Sequence, residues 1–343
     1  MTYVLIYAGL LLCGFVSIGN SSRRNALYYV CLFGLFFFVG FRYRVGCDWL
    51  GYLSIFEAAG NSLTAEAKSE PAFWAVNRLL HYFELEYPYI NVITSACFFV
   101  GLHALAKRQP DRLGVLILAF PILILNLAMS ADRQAIGLGF LCFAYNAFVD
   151  TRLVRYVLFV TIAATFHYSA ILFLVLAPLV RGNFSRQRIA LGGLLALPGL
   201  YYLLASETFG VYTSRYVGTG PEAAGAVFRT GFLALSGAAF LWLLDQKWKA
   251  RSIRDYKFVK IFSYAMVASF AVSLYSSVIG DRIAYYLLPA QLMIFARLPL
   301  LFRGGGSTIV VFAPYAADAV LLLAWITLSP LFQKCYEPYQ IWW

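Results

Sequence analysis

Residues 25–52 read NALYYVCLFGLFFFVGFRYRVGCDWLGY. The run 25–41 is apolar and close to the ~20 residues a helix needs to cross a bilayer core. Arg42, Arg44 and Asp48 follow it at once. A span that ends in two arginines and an aspartate settles two matters together. The chain is threaded through a membrane, and the boundary where it emerges carries charge that lipid does not require.

The rest of the chain shares the apolar character. It has 343 residues, of which 62% are hydrophobic and 13% charged, and a mean hydropathy of +0.73. A soluble domain carries roughly 25% charged residues. Apolar runs of span length recur from end to end, so the expected fold is all-α. It is a polytopic helical bundle forming a single membrane domain over 1–343, with no soluble domain. The net charge of +11 does not point to nucleic acid, because no basic stretch is interleaved with base-stacking aromatics in a soluble module. Lys and Arg collect instead in cytoplasmic loops. The cysteines, Cys13, Cys31, Cys47, Cys97, Cys142 and Cys335, form no CxxC and lie mostly in apolar runs. Neither a metal site nor a disulfide framework is expected from them. The opening MTYVLIYAGLLLCGFVSIGN lacks a basic leader and reads as a first span rather than a cleaved signal.

Loop charge orients the spans. Arg23 and Arg24 put the turn after run 2–19 inside, so 25–41 runs outward and delivers FRYRVGCDWLGY to the outer face. Residues 42–87 form an outer loop containing PAFWAVNRLLHYF. Helical spacing there sets Phe73, Val76, Leu80 and Phe83 on one face and Asn77, His81 and Glu84 on another, as in an interfacial amphipathic helix. Runs 88–106, 113–130 and 133–149 alternate between basic inner turns and the outer turn SADRQ. As a single tilted span, 153–180 would put the basic loop RGNFSRQR outside. As two short limbs meeting near FHYS it keeps that loop inside, and this is the expected form. Run 189–205, outer loop 206–228, run 229–244 and the basic cytoplasmic loop 245–257 follow. Runs 258–278, 283–302 and 307–329 then leave 330–343 as an outer tail, for about twelve crossings.

On this threading the outer side collects Arg42, Arg44, Asp48, Asp132, Arg133, His167, Arg215, Asp281, Arg282 and the tyrosines of the tail. Topology explains the basic inner loops but not these arginines, and ionisable groups at membrane depth mark a pathway or a site. A lipid-linked diphosphate fits them, since the arginine fork pairs bidentately with phosphate oxygens. Asp132 and Asp281 each precede an arginine and read as helix N-caps. Gly46 reads as a turn glycine that aims its neighbours.

The motifs have a family likeness. FRYRVGCDWLGY resembles the Arg-Tyr-x-x-Gly-x-Asp-x-x-x-Tyr signature of EpsG/Wzy-type polysaccharide polymerases. RQAIGLGF is similar to that family's Arg-Gln-x-x-Ala segment, with Gly137 in place of the alanine. FHYSAILF, DRIAYYLLP and EPYQ resemble its later segments, in family order. The resemblance implies a GT-C-like membrane glycosyltransferase of the bacterial inner membrane. It would build O-antigen, capsular or exopolysaccharide at the periplasmic face. The growing glycan would pass from undecaprenyl diphosphate to a sugar hydroxyl of the incoming lipid-linked repeat. No cofactor and no metal are implied. The partners are the lipid-linked oligosaccharide, the bilayer, a chain-length regulator and a flippase, with no nucleic acid.

Under that resemblance Arg42, Arg44, Arg133 and Arg282 form a diphosphate clamp, with Arg133 and Gln134 carrying the Arg-Gln motif. Snorkelling to lipid headgroups is the competing reading. His167 and Asp48 are candidate bases for the acceptor hydroxyl, and Asp48 alternatively salt-bridges Arg42 or Arg133. Tyr52, Tyr285, Tyr286 and Tyr339 are candidate sugar platforms, and Arg215 and Arg229 grips for acidic sugars or a second diphosphate. Alternative functions are a flippase for the same lipid-linked glycan, or an outer-face transferase such as an O-antigen ligase.

Overall fold

The computed structural model describes residues 1–60, 69–182, 185–205, 225–302 and 307–342. Arg215 and most of the 206–228 loop lie outside the described residues. In chain order the helices are α1 (Thr2–Val16), α2 (Ser21–Gly40), α3 (Trp49–Gly60), α4 (Pro71–Tyr82), α5 (Pro88–Ala106) and α6 (Arg112–Ala119). They continue with α7 (Asp132–Val149), α8 (Leu153–Phe166), α9 (Ala177–Val180), α10 (Arg186–Ala205), α11 (Ala226–Ala239) and α12 (Asp245–Arg251). The last are α13 (Ile253–Tyr275), α14 (Ser277–Leu301), α15 (Ser307–Leu328) and α16 (Pro330–Tyr336). Two compact units result: unit 1 is Met1–Gly139 with Phe295–Trp343, and unit 2 is Phe140–Ile294.

Local sequence explains the ends of several elements. Asn20 accepts the Arg23 amide at the start of α2, and Asp111 accepts the Gly114 amide at the start of α6. Pro71, Pro88 and Pro330 stand at first helical positions, where a missing N–H costs nothing. Pro121 lies in the π-helical turn Phe120–Leu127 that continues α6, as its missing N–H and bulky ring dictate.

In unit 1, α5 and α7 approach through glycines: a Cβ on Gly101 would collide with the backbone of Gly139. Small residues let membrane helices close to backbone contact. The C-terminal tail folds back onto the end of α2. Arg42 and Ile341 form an antiparallel bridge, Tyr43 donates its amide to Gln340, and Trp342 donates its amide to Phe41. Cys47 and Cys335 are joined by a disulfide. This corrects the expectation of no disulfide. Cys47 and Cys335 lie outside the long apolar runs, and the fold of the tail brings together two thiols that sequence distance hides.

In unit 2, α8 ends at Phe166, and a 3₁₀ helix, Tyr168–Leu176, runs into α9. The two limbs pack side by side, and the Tyr156 hydroxyl of α8 bonds the Phe173 carbonyl of the other limb at 2.6 Å. The break thus falls at His167, within FHYS. Helices α11 and α13 pack closely at Gly237, beside Ser263 and Met266, and Thr230 bonds Ser273 at 2.9 Å.

The structure is all-helical among the described residues, with isolated bridging at the tail in place of a sheet. Among the described residues five helices are long and apolar enough to cross a membrane: Tyr89–Ala106, Ala226–Arg251, Ile253–Tyr275, Ser277–Leu301 and Thr308–Leu328. Of the remaining expected spans, α1, α6 with its π turn, and the two limbs at His167 are apolar but short. Helices α2 and α7 open on SSRRN and DRQ. The 42–87 segment holds two helices rather than a loop with one, since α3 was not foreseen. Its amphipathic helix also faces differently from the expectation. Asn77 is buried and bonds the Phe73 carbonyl, whereas Phe83 is exposed.

Candidate functional site

The motif after α2 splits its two arginines. Arg42 turns inward and is 2% exposed. Its guanidinium donates to the Val39 carbonyl at 2.7 Å, the Val45 carbonyl at 3.3 Å and the Asp132 carboxylate at 2.5 Å. Arg44, two positions on, is exposed and adopts a left-handed φ of 55°. Gly46 has φ 105°, and a Cβ there would collide with the Met129 carbonyl. Only glycine fits that turn. The Ser130 hydroxyl accepts the next amide, of Cys47, at 2.7 Å.

Every direction of the Arg42 fork meets protein and none faces solvent. Asp132 is not an N-cap. It lies within the first turn of α7, and its carboxylate goes to Arg42. Burying such a pair makes each partner depend on the other.

The open cations lie over α3. The Arg44 guanidinium stands 5.0 Å from the Tyr43 ring centre and 5.8 Å from that of Trp49. Arg133 stands 5.9 Å from the Tyr52 ring centre and donates to Glu70 at 2.6 Å. Its side chain keeps 27% exposure. Trp49 and Tyr52 are three apart on one helix, so their side chains are neighbours on one face of it. The two guanidinia therefore line one stretch of α3. Cation–π contact holds a guanidinium by its face and leaves its edge donors for an anion. Arg44 makes no ion pair among the described residues. The phenol of Tyr52 is buried, and this desolvation raises its pKa, so it stays a neutral hydroxyl beside Arg133.

Asp48 is exposed just before α3, and its carbonyl takes the Tyr52 amide. Gln134 is buried in the first turn of α7. The structure shows Asp132 as the carboxylate partner of Arg42 and Glu70 as a partner of Arg133. Tyr339 packs its ring on Phe38 at 4.6 Å and donates its hydroxyl to the Phe38 carbonyl at 2.6 Å. It secures the tail against the end of α2.

Unit 2 holds the remaining candidates. His167 has extended backbone between the two limbs. Its amide bonds Ala163 and its carbonyl takes the Ala170 amide. Its half-buried ring lies 6.5 Å from that of Tyr286. Tyr286 is held at both ends: its hydroxyl pairs with Ser169 at 3.1 Å, and its carbonyl accepts from Tyr145 at 2.8 Å. Tyr285 is buried and Arg282 half-buried, both on α14. Arg229 is gripped bidentately by Asp281, at 2.9 and 2.8 Å. Asp281 thus takes two nitrogens of the Arg229 guanidinium, and Asp281, inside α14, is no N-cap.

A family model described as EpsG family matches residues 25–341. The chain belongs to the EpsG family. No curated protein and no solved structure matches it. Membership in the EpsG family supports a polysaccharide-polymerase-type role in general, and the apolar helices agree with a membrane protein. The EpsG match runs from within α2 into the tail, so it spans the Arg44–Arg133 cluster and the His167 break together.

Some partners of the candidate residues in each unit were not foreseen from sequence. Glu70 was missed because it reads as a loop acid. Its one signal is its place directly before Pro71, at a helix start where the side chain is not used for capping. Ser169 and Tyr145 were missed because hydroxyls that orient another tyrosine leave no pattern in the chain.

Proposed function

We propose that the chain polymerises undecaprenyl-diphosphate-linked oligosaccharide repeats. The growing glycan passes from its diphosphate carrier to a sugar hydroxyl of the incoming repeat, at the outer face of the inner membrane. The observation that carries this reading is the pair of open guanidinia, Arg44 and Arg133, lined along Trp49 and Tyr52. In the transfer, the acceptor oxygen bonds to the anomeric carbon of the donor while the bond from that carbon to the diphosphate oxygen breaks. The leaving diphosphate gains negative charge, and fixed guanidinium donors stabilise it as it forms. The hydroxyl proton passes to a base or to solvent. His167 as that base, and Arg282 as a further phosphate ligand, enter through their motifs. The twelve-span, GT-C-like arrangement enters through loop charge and family likeness.

The Cys47–Cys335 disulfide supports the outer face, because disulfides persist in oxidising compartments. It joins the motif to the tail, and both were threaded to the same side by loop charge.

The test is polymerisation by the purified protein. Its substrate is undecaprenyl-diphosphate-linked repeat extracted from a strain that lacks this chain. A ladder of lengths made by the wild type and lost in Arg44→Ala and Arg133→Ala supports the reading. A requirement for lipid A core would make the chain a ligase. Repeat accumulating on the cytoplasmic side of a deletion strain would make it a flippase.

A further inference from the structure

Glu70 is 4% exposed and stands at the N-cap of α4. A side chain there ordinarily accepts an amide of its own helix, and the Glu70 carboxylate makes no such bond. It reaches instead to Arg133, 63 positions away, at 2.6 Å. Its backbone is fixed from the far side by Pro71, since a residue before proline is confined to extended backbone. The observed φ −55°, ψ 143° fits that confinement. The carboxylate is thus presented from a rigid point. It also lies at the N-terminal end of α4, where the helix dipole suits an acidic side chain.

Arg133 needs such a partner. It lies in the first turn of α7, where the helix dipole is unfavourable to a cation. Its Nε is buried without a hydrogen-bond partner among the described residues, so that edge does not orient it. Glu70 holds Nη1, and the guanidinium carbon lies over the Tyr52 ring, 5.9 Å from its centre. Together these two contacts fix the direction in which the remaining exposed edge points.

We propose that Glu70 is a positioning residue for Arg133: it holds the guanidinium in the orientation that meets the leaving diphosphate. This rests on the proposed role of Arg133. A carboxylate that acts through Arg133 affects the transition state more than substrate capture. Its loss therefore lowers kcat more than it raises KM.

The experiment compares Glu70→Gln, Arg133→Lys and the double variant, using the same extracted lipid-linked repeat as substrate. Glutamine keeps the size and an acceptor oxygen but loses the charge. Lysine keeps the charge but lacks the fork, so Glu70 has no plane to orient. The expected result for Glu70→Gln is a kcat about ten- to hundredfold lower, as for a misplaced catalytic group. KM should stay within about threefold and the melting temperature should be unchanged. Adding Glu70→Gln to Arg133→Lys should cost nothing further, because the pair acts as one unit. Losses that multiply in the double variant, a fall in melting temperature that accounts for the activity, or wild-type kinetics in Glu70→Gln would each overturn the positioning role. Arg133→Ala, run beside them, separates the two readings. If it polymerises like wild type, the role of Arg133 falls. If it is inactive while Glu70→Gln is normal, only the role of Glu70 falls.

Discussion

Arg42 and Arg44 come from one motif, two residues apart, and end in opposite situations. Arg42 is sealed inside with Asp132 and two carbonyls, while Arg44 lies on the surface between two aromatic rings. The same contrast recurs on α7, where Asp132 is consumed by Arg42 and Arg133, the next residue, keeps an open edge. A charged motif at a membrane boundary is thus two devices interleaved. One half holds the backbone, and the other half stays open, as the proposed diphosphate ligand requires. Removing the first should cost the fold, and removing the second should cost only activity.

The largest effect should therefore come from the sealed half. Asp132→Ala leaves Arg42 buried and unpaired, a change that costs about 3–5 kcal/mol. The expected outcome is protein missing from the membrane fraction or a sharply lowered melting temperature. Replacing both residues with apolar ones of similar size should restore most of the loss. A stable, correctly inserted Asp132→Ala protein would dissolve the distinction.

The tail strap belongs to the same half. Cys47→Ser or Cys335→Ser should lower stability by about 2–4 kcal/mol, the usual range for a native disulfide. The pair also tests sidedness. Neither thiol should react with a membrane-impermeant maleimide in intact cells until a reductant is added, after which both should label. Labelling that needs permeabilisation as well as reductant would place the motif on the other face.

The open half should behave differently. Arg44→Ala exposes nothing buried and breaks no ion pair, so its melting temperature should match wild type. Its polymer yield should fall about a hundredfold, comparable to losing one preorganised donor to a developing anion. An equal drop in stability would return Arg44 to the structural class.

How much of this was legible depends on distance along the chain. Arg42 and Arg44 part because the backbone turns between them and Gly46, with φ 55° at Arg44 and 105° at Gly46, and the glycine marks that turn in the sequence. The break at His167 followed from loop charge and from limbs too short to span separately. Both are local arguments. Asp132 and Arg42 are 90 positions apart, and Cys47 and Cys335 are 288 apart. Pairings at that range depend on how helices stack, and no periodicity records them. Run length and loop charge led to about twelve crossings, whereas five helices among the described residues are long and apolar enough to cross a membrane.

The smallest effect should sharpen the boundary between the two halves at Tyr339. Its hydroxyl bonds only a carbonyl at the end of α2, so Tyr339→Phe should cost about 0.5–1.5 kcal/mol, as for one hydrogen bond. Polymer formation should be unaffected. Burial pushes this phenol up to about 12, from an ordinary value near 10. The folded state therefore favours the neutral form, and the contribution of Tyr339 is fully present below about pH 10. As pH rises from there through about 12, that contribution is lost, and the stability gap between wild type and Tyr339→Phe should close and then reverse. A variant that loses polymer length at neutral pH with no change in melting temperature would move Tyr339, and the tail with it, from the strap to the ligand-facing side.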